Sequence, residues 1–360
     1  MVAKTLIETW VRPSVRELHS YHVPDSSGMI KLDAMESPYS LQDDIKKSWL
    51  EILSRTDVNR YPDADSRELK IQIRRNLGIP EECKLILGNG SDELIQLIAI
   101  LLGGKNRVFI SPTPSFSMYQ QISLATNTEF VGVPLNSDFS LNFETLLDAI
   151  RHHQPACIFL AYPNNPTGNC FSDAQITEII SEAPGMVVLD EAYNAFCGKS
   201  WLDEVEKHPN LVVLRTLSKS GLAGLRLGIL AAGEHWAEQL EKLRLPYNIN
   251  VLTQVSGRHL LDHYDVMVQQ SQQIIDARRI LYEALKIIPG ITVYPSETNF
   301  LLMHTALGAD FVHGELKKQN ILVKNLNGSN DALKDHLRIT VSCESENEAF
   351  LNVIKAVHSC

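Results

Sequence analysis

The chain has 360 residues, of which 44% are hydrophobic and 21% are charged, and its formal net charge is −10. This length and composition are typical of a folded protein with two domains, and they argue against disorder. The acidic balance provides no basic surface for nucleic acid or an anionic membrane, although it does not describe any single pocket. The six cysteines show no metal-ligand spacing, so we expect reduced thiols, no metal site and a cytoplasmic protein.

The first fifty residues contain several prolines and a Ser-Ser-Gly turn, and they predict an arm with one helix. Beyond them, short apolar runs alternate with helix-like segments. Predicted strands lie at residues 84–87, 107–110, 130–133, 157–161, 186–190, 211–215 and 227–231, and predicted helices at residues 91–102, 143–151 and 172–182. This alternation is typical of an α/β fold with a seven-stranded, mostly parallel sheet and helices on both faces.

The last hundred residues have a different pattern. From residue 259 to about 288 the sequence predicts one long helix, which ends before Pro289 and Gly290. Short predicted strands follow at residues 291–294, 300–304, 321–324 and 337–341. We therefore predict an N-terminal arm that contributes to a small domain (1–50), a large domain (51–260) and a C-terminal small α+β domain (261–360).

Ligands bind at the carboxyl ends of the strands in sheets of this kind, so the segments that follow the predicted strands are candidates for a site. The first of them, residues 88–93, reads G-N-G-S-D-E. Free N–H groups at the start of the following helix can hold a phosphate. However, a serine with two acids behind it is also an ordinary helix start that needs no ligand. Both interpretations stay open for this segment alone.

Three further segments carry polar groups at strand ends. Residues 163–168 (P-N-N-P-T-G) form either a plain turn or a loop that directs Asn165 into a crevice. Asp190 closes an apolar strand near Tyr193, and it can bind Mg²⁺, pair with a cationic ring nitrogen or simply be solvated. The sequence contains no G-x-x-x-x-G-K-[ST] loop to accompany a magnesium site. Lys219 lies among small residues after a strand, where a lowered pKa permits Schiff-base chemistry.

Together and in this order, these segments resemble those of the fold-type-I pyridoxal-phosphate-dependent aminotransferases, particularly the histidinol-phosphate aminotransferases. The resemblance extends from Val15 to the C-terminal helix. It also includes residues 59–62 (N-R-Y-P), 114–119 (P-S-F-S-M-Y), 190–193 (D-E-A-Y) and 337–341 (L-R-I-T-V). It implies the aminotransferase fold, with pyridoxal 5′-phosphate as the cofactor of the large domain.

The resemblance assigns roles to the residues around the cofactor ring. Lys219 resembles the lysine that binds the cofactor as a Schiff base and moves the substrate proton, and Asp190 resembles the carboxylate that pairs with the pyridinium nitrogen. Asn165 and Tyr193 match the donors to the phenolate oxygen, and Phe116 matches the aromatic side chain that stacks on the ring. The predicted catalytic residues are therefore Lys219, Asp190 and Tyr193.

A second group resembles the residues that bind the cofactor phosphate in this family. Ser91 and Asp92 match them through their backbone N–H groups, and Ser218 and Arg226 through their side chains. Tyr61 resembles a tyrosine that reaches the cofactor phosphate of the neighbouring subunit, which implies a homodimer. A dianion surrounded by N–H and O–H donors at a helix start is a stable arrangement.

Arg338 resembles the arginine that anchors the anionic group of the substrate, since its planar fork fits carboxylate and phosphate. Tyr21 stands where relatives have a tyrosine near the substrate phosphate, and Lys324 stands where many have a second arginine. The implied reaction in histidine biosynthesis moves an amino group between glutamate and imidazole acetol phosphate. A small amino donor and a phosphorylated substrate therefore use the same site in turn.

Other functions share this scaffold. A threonine-phosphate decarboxylase and an aromatic or broad-specificity aminotransferase stay as alternatives, whereas a non-catalytic sensor is disfavoured because the chain keeps Lys219. The sequence departs from the family pattern at four places: Arg226 follows Lys219 by seven residues, one fewer than usual, Lys324 replaces an arginine, residues 32–38 (L-D-A-M-E-S-P) lack the usual asparagines, and Ser342 replaces a glycine. We expect these departures to affect substrate identity more than cofactor binding.

Overall fold

The computed structural model of the protein describes residues 2–18, 20 and 23–359. In this part of the chain the strands are β1 (Ile30–Leu32), β2 (Lys84–Asn89), β3 (Val108–Thr113), β4 (Glu129–Pro134), β5 (Cys157–Ala161), β6 (Met186–Asp190), β7 (Leu211–Thr216), β8 (Leu227–Ala232), β9 (Ile291–Val293), β10 (Phe300–Thr305), β11 (Ile321–Asn325) and β12 (His336–Thr340). The helices are α1 (Val2–Trp10), α2 (Pro13–Arg16), α3 (Asp43–Ser54), α4 (Arg67–Leu77), α5 (Ser91–Leu102), α6 (Met118–Ala125), α7 (Phe143–His153), α8 (Asp173–Glu182), α9 (Asn194–Cys197), α10 (Glu234–Glu241), α11 (Val251–Leu261), α12 (Tyr264–Lys286), α13 (Ala309–Lys318) and α14 (Glu344–His358).

The larger sheet has seven strands in the order β2-β8-β7-β6-β5-β3-β4. Strand β8 runs antiparallel to both of its neighbours, and the other neighbouring pairs are parallel. The prediction of a seven-stranded, mostly parallel sheet is therefore confirmed. Its strands coincide closely with the apolar runs because residues in a sheet covered on both faces must be apolar at nearly every position.

Alternate residues of the central strands lie in two different cores. On β6, Val187 and Leu189 belong to the core that includes α4, α7 and α8, whereas Met186 and Val188 belong to the core that includes α5, α6 and α10. All four side chains have no measurable exposure. Each such side chain contributes about 1.5–3 kcal/mol of hydrophobic free energy, so helices on both faces hold the strand ends rigidly in place.

A smaller sheet of five strands has the order β1-β11-β12-β10-β9. Strand β1 pairs in parallel with β11, so that Ile30 lies opposite Ile321, and the remaining neighbours are antiparallel. The prediction of a single helix in the first fifty residues was wrong. The segment contributes α1, α2, β1 and the start of α3, because β1 finds its partner almost three hundred residues away, beyond the reach of any local pattern.

The long helix predicted from residue 259 is also corrected by the structure. Helix α11 ends at Leu261 and α12 begins at Tyr264, with His263 in a non-helical conformation between them (φ −112°, ψ 31°). Both sides of the break pack on the core of the larger sheet, through Leu260 and Met267, and α12 reaches the core of the smaller sheet only at Ile274. The predicted domain boundaries at residues 50 and 260 fall inside α3 and α11, and they stay predictions.

The parallel strands of the larger sheet end at one edge. Residues after β2, β3, β5, β6 and β7 therefore lie side by side there, at the position where open α/β sheets bind their ligands. No helix in the described residues is both long enough and apolar enough to cross a bilayer.

Candidate active site

A cleft opens at the carboxyl edge of the larger sheet, and its volume, counted together with the solvent at its open mouth, is about 550 Å³. Its lining residues are Met35, Ser91, Asp92, Phe116, Tyr119, Ala161, Asn165, Asp190, Ala192, Tyr193, Thr216, Ser218, Lys219 and Arg226. Every cofactor residue predicted from the sequence, apart from Tyr61, is in this set. The structure thus brings together segments that are up to 135 residues apart in the chain, from Ser91 to Arg226, because they follow neighbouring strands.

Asp190 is the buried acid of the cleft, at the last position of β6. Its Oδ1 accepts a hydrogen bond from the backbone N–H of Ala192 at 3.1 Å, and its Oδ2 accepts one from the hydroxyl of Tyr119 at 2.7 Å. Burial raises the pKa of Asp190 to about 6, while the hydrogen bonds from Tyr119 and Ala192 act in the opposite direction. The group is therefore mostly a carboxylate at neutral pH, and it can hold a cationic ring nitrogen.

Lys219 is the half-buried base of the cleft, on an irregular helical turn that follows β7. Its ammonium group donates to the carbonyl of Ala34 at 3.4 Å and lies 5.9 Å from the ring centroid of Tyr193. Burial and the nearby guanidinium of Arg338 lower the pKa of Lys219 to about 8. At neutral pH about a tenth of the amine is thus neutral, which suits a nucleophile and a proton carrier.

The start of α5 forms an anion-binding corner with Arg226. The helix begins at Ser91 and is capped by Gly90 (φ +84°), so the predicted serine cap is replaced by a glycine cap. A Cβ on Gly90 would collide with the guanidinium of Arg226, so a glycine, which also tolerates the positive φ, allows the two to lie in contact. Arg226 also lies 3.4 Å from the hydroxyl of Ser218 and 3.6 Å from the carboxylate of Asp92. The seven-residue spacing from Lys219 therefore still brings the guanidinium to this corner.

Arg338 connects the two sheets beside the cleft, although neither Arg338 nor Lys324 is among the lining residues. It lies on β12, is 8% exposed, and its Nη1 donates to Oδ1 of Asn165 at 2.6 Å. Its Nη2 donates to the backbone carbonyl of Asp33 at 2.9 Å, and its guanidinium lies 5.5 Å from the ring centroid of Phe300. Lys324 lies opposite Arg338 in the register of β11 and β12, so the two cations share one part of the smaller sheet.

Residues 32–38 pass along the cleft after β1. Met35 adopts a positive φ of 55°, and its backbone N–H donates to the hydroxyl of Thr340 at 2.9 Å. Its carbonyl accepts from the amide of Asn299 at 3.0 Å, and its sulfur accepts from the hydroxyl of Tyr193 at 3.2 Å. Met35 therefore contacts a predicted cofactor residue from the position where the family pattern has an asparagine.

Five lining residues of the cleft were missed in the sequence, namely Met35, Tyr119, Ala161, Ala192 and Thr216. Tyr119 belongs to a segment that carried the family resemblance, but nothing local indicated that its hydroxyl reaches Asp190. Met35 was noted only as a departure from the pattern, and its place in the cleft depends on the pairing of β1 with β11.

Two predicted tyrosines, Tyr61 and Tyr21, are not among the lining residues, and the structure describes only Tyr61. Tyr61 is 81% exposed and stacks on Tyr247, with ring centroids 4.5 Å apart. It does not line the cleft of its own chain. Tyr21 lies outside the described residues, so its predicted role near the substrate phosphate stays a prediction.

Comparisons with known proteins identify the family of the chain. The family described as aminotransferase class I and II matches residues 27–357. The chain is 45% identical over 356 residues to histidinol-phosphate aminotransferase 2 of Nitrosococcus oceani, covering 99% of both chains, and 43% identical over 351 residues to the histidinol-phosphate aminotransferase of Vesicomyosocius okutanii, covering 98% of both. The fold is also that of the histidinol-phosphate aminotransferase from Sinorhizobium meliloti in complex with pyridoxal 5′-phosphate, at a TM-score of 0.87, 21% identity and 98% coverage of both chains. The resemblance inferred from the motifs is confirmed, and the chain belongs to the class I and II aminotransferase family.

Proposed function

We propose that the protein transfers the amino group of glutamate to imidazole acetol phosphate, which gives histidinol phosphate and 2-oxoglutarate in histidine biosynthesis. The cofactor is pyridoxal 5′-phosphate. The observation that carries the proposal is the near-full-length agreement with the histidinol-phosphate aminotransferase of Nitrosococcus oceani. The chemistry of the cleft supports it independently, because its donors and its buried carboxylate complement the charges of this cofactor.

The anion-binding corner fits the cofactor phosphate. The guanidinium of Arg226 lies against Gly90 at this corner, and the first N–H groups of α5, on Ser91 and Asp92, are free of partners within the helix. A helix start and a guanidinium both stabilise a dianion. We assign these groups, with the hydroxyl of Ser218, to the phosphate.

The remaining groups of the cleft fit the cofactor ring. Asp190 supplies a negative charge for the ring nitrogen, and Phe116 supplies an aromatic face. Asn165 and Tyr193 supply an amide and a hydroxyl as donors for the phenolate oxygen. The bound cofactor withdraws electrons from the substrate and so acidifies the proton on the substrate Cα.

Lys219 is the residue that moves this proton. As a neutral amine it would accept the proton from the substrate Cα, and as an ammonium it would release that proton to C4′ of the cofactor. Its pKa near 8 places the two protonation states close in free energy at neutral pH. The amine stays partly neutral because burial and the positive charge of Arg338 both lower its pKa.

Arg338 binds the anionic group of each substrate in turn. The guanidinium is held by Asn165 and by the carbonyl of Asp33, so its orientation is set before substrate arrives. Lys324 adds a second positive charge on the neighbouring strand. We assign Tyr21 to the substrate phosphate as well.

We further propose a homodimer in the cytoplasm. Tyr61 projects from the surface with Tyr247 beside it, and an exposed aromatic pair of this kind is typical of an interface. In the proposed dimer Tyr61 reaches the cofactor phosphate of the partner subunit. The five described cysteines are all free thiols, in agreement with a reducing compartment.

The test is a panel of half-reactions with the cofactor-loaded protein. Histidinol phosphate, glutamate, phenylalanine and threonine phosphate are each mixed with it, and conversion of the cofactor to its amine form is followed by absorbance. We expect conversion by glutamate and histidinol phosphate, with histidinol phosphate at least about tenfold faster than phenylalanine. Faster conversion by phenylalanine would favour an aromatic aminotransferase instead. Labelled CO₂ released from threonine phosphate would favour a decarboxylase, and cofactor binding without any conversion would favour a sensor.

A further inference from the structure

We infer that Tyr119 is a positioning residue for the proposed cofactor, because its hydroxyl holds Asp190 as a carboxylate that faces the cleft. The inference rests on the proposed function and adds to it a residue that does not itself react. It acts through Asp190, and the ring nitrogen is the group that Asp190 is assigned to hold.

The contact between the two residues is short and enclosed. The hydroxyl of Tyr119 lies 2.7 Å from Oδ2 of Asp190, and both residues are buried. The tyrosine ring stacks on Phe159 at 4.8 Å with an interplanar angle of 9°, and it meets the edge of Phe116 at 5.5 Å. Tyr119 is therefore fixed in orientation by rings on two sides, and it joins the acid to the aromatic residue assigned to the cofactor ring.

The direction of the hydrogen bond follows from chemistry. A carboxylate only accepts, and burial together with the charge of Asp190 raises the pKa of the Tyr119 phenol, so the phenol stays protonated and donates. The backbone N–H of Ala192 donates to the other oxygen. Both oxygens of Asp190 thus have a donor, which offsets part of the cost of burying a charge.

The other charged and titratable groups around Asp190 do not replace this donor. Those that face it from the elements packed around the cleft are Asp92 on α5, Glu191 beside it, Tyr193, and Lys219 and Arg226 after β7. Asp92 and Glu191 are acids, and both raise the pKa of Asp190 further. The carboxylate of Glu191 forms an ion pair with the guanidinium of Arg215 at 2.9 Å.

Removing the hydroxyl of Tyr119 should therefore favour the protonated, neutral form of Asp190. A hydrogen bond to a charged group corresponds to a pKa shift of about one to two units, so in Tyr119→Phe we expect the pKa of Asp190 to rise from about 6 into the range where it is largely protonated at neutral pH. A protonated Asp190 no longer stabilises a positive ring nitrogen. Cofactor affinity at neutral pH should then fall about tenfold.

The experiment measures the dissociation constant of pyridoxal 5′-phosphate from the full-length chain between pH 5 and pH 9 in wild type and in Tyr119→Phe. We expect the acidic midpoint of the affinity profile to move upward by about one to two pH units in the variant. The titration of the cofactor itself is common to both proteins and cancels in the comparison. Superimposable profiles would overturn the inference.

Tyr162→Phe is the matched control. Tyr162 is also fully buried, and its hydroxyl donates to Asp173 at 2.7 Å, outside the cleft. We expect its affinity profile to match that of wild type. An equal shift in both variants would show that loss of any buried tyrosine hydroxyl perturbs the protein, and it would overturn the inference.

A double variant separates a positioning role from a structural one. In an Asp190→Asn background the carboxylate is already absent, so adding Tyr119→Phe should change the cofactor affinity less than about twofold. A further tenfold loss in that background would contradict action through Asp190. If Tyr119→Phe does not fold, the wild-type profile still tests the inference: its acidic midpoint should lie at about 6 or below, because the hydrogen bond from Tyr119 lowers the pKa of Asp190, and a midpoint above about 7 would count against the inference. These affinities test Tyr119 even if histidinol phosphate is not the substrate, whereas the half-reaction panel tests the substrate alone.

Discussion

The two walls of the cleft are built in different ways. The cofactor wall consists of residues 90–92, Asn165, Asp190 and residues 218–226, which follow strands of the larger sheet. The substrate wall, as we propose it, consists of residues 32–38, of which Met35 lines the cleft, and of two cations beside the cleft, Lys324 and Arg338. The first wall is formed by the ends of neighbouring strands, whereas the second is formed only when the N-terminal segment pairs with a sheet made from the C-terminal third of the chain.

This difference explains where the chain departs from its family. The cofactor is the same for every member, so the cofactor wall has to present the same charges in the same order. Substrates differ, and most of the departures, at residues 32–38, Lys324 and Ser342, lie on the smaller sheet or beside it. The walls are nonetheless coupled, because Arg338 donates to Asn165 and its charge lowers the pKa of Lys219.

The largest expected effect is at the centre of the cofactor wall. We predict that Lys219→Ala lowers the turnover of glutamate and histidinol phosphate by at least about 10⁴-fold, because both the nucleophile and the proton carrier are removed. Stopped-flow absorbance and steady-state assays measure the loss. Lys199→Ala, a lysine whose side chain is 54% exposed, serves as the control and should keep wild-type turnover. Turnover of Lys219→Ala within about tenfold of wild type would contradict the assignment.

A smaller effect is expected from the substrate wall. Arg338→Gln removes a positive charge and the planar fork, so KM for both glutamate and histidinol phosphate should rise about 10- to 100-fold. The dissociation constant of the cofactor should change less than about threefold. The ratio of the change in KM to the change in this dissociation constant measures how independently the two walls act. Arg279→Gln, at an exposed arginine of α12, should leave both constants unchanged. Equal losses in substrate and cofactor affinity would remove the distinction between the walls.

The pH dependence of cofactor capture measures the coupling between the walls. The cofactor aldehyde reacts with the neutral amine of Lys219, so the capture rate should rise with pH up to about 8, where the amine loses its proton, and then level off. Removing the positive charge in Arg338→Gln raises the pKa of Lys219, so the plateau should move to higher pH, by up to about one unit. Rapid mixing of cofactor-free protein with pyridoxal 5′-phosphate gives the rates. A plateau at the same pH in both proteins would contradict the coupling.

The smallest effect is predicted at Lys324. This side chain is half-buried at the edge of the substrate wall, and charge pairs in such positions contribute about 0–1 kcal/mol. Lys324→Ala should therefore raise KM for histidinol phosphate up to about fivefold, without a change in cofactor affinity. Lys324→Arg, which restores the charge, should stay within about twofold of wild type. A loss as large as that of Arg338→Gln would show that Lys324 is a second principal anchor.

Much of the cofactor wall could be predicted from the sequence, because each of its parts is a local pattern. An apolar run followed by Asp190, or by a loop of small residues around Lys219, can be read within a short window. The parallel arrangement of the strands then requires their carboxyl ends to meet. The contacts of the substrate wall have no such local signal, and the role of Met35 was visible only after β1 had been paired with β11.

The sequence by itself determined the α/β class, the seven central strands and the order of the motifs at their ends, since burial on both faces and turn chemistry act over a few residues. Only the tertiary structure decided that β1 joins the smaller sheet, that α11 and α12 are separate helices, and that Tyr119 reaches Asp190. These features depend on which distant groups become neighbours in a dense core. Packing over the whole chain determines which distant groups become neighbours, so no single segment can predict these contacts.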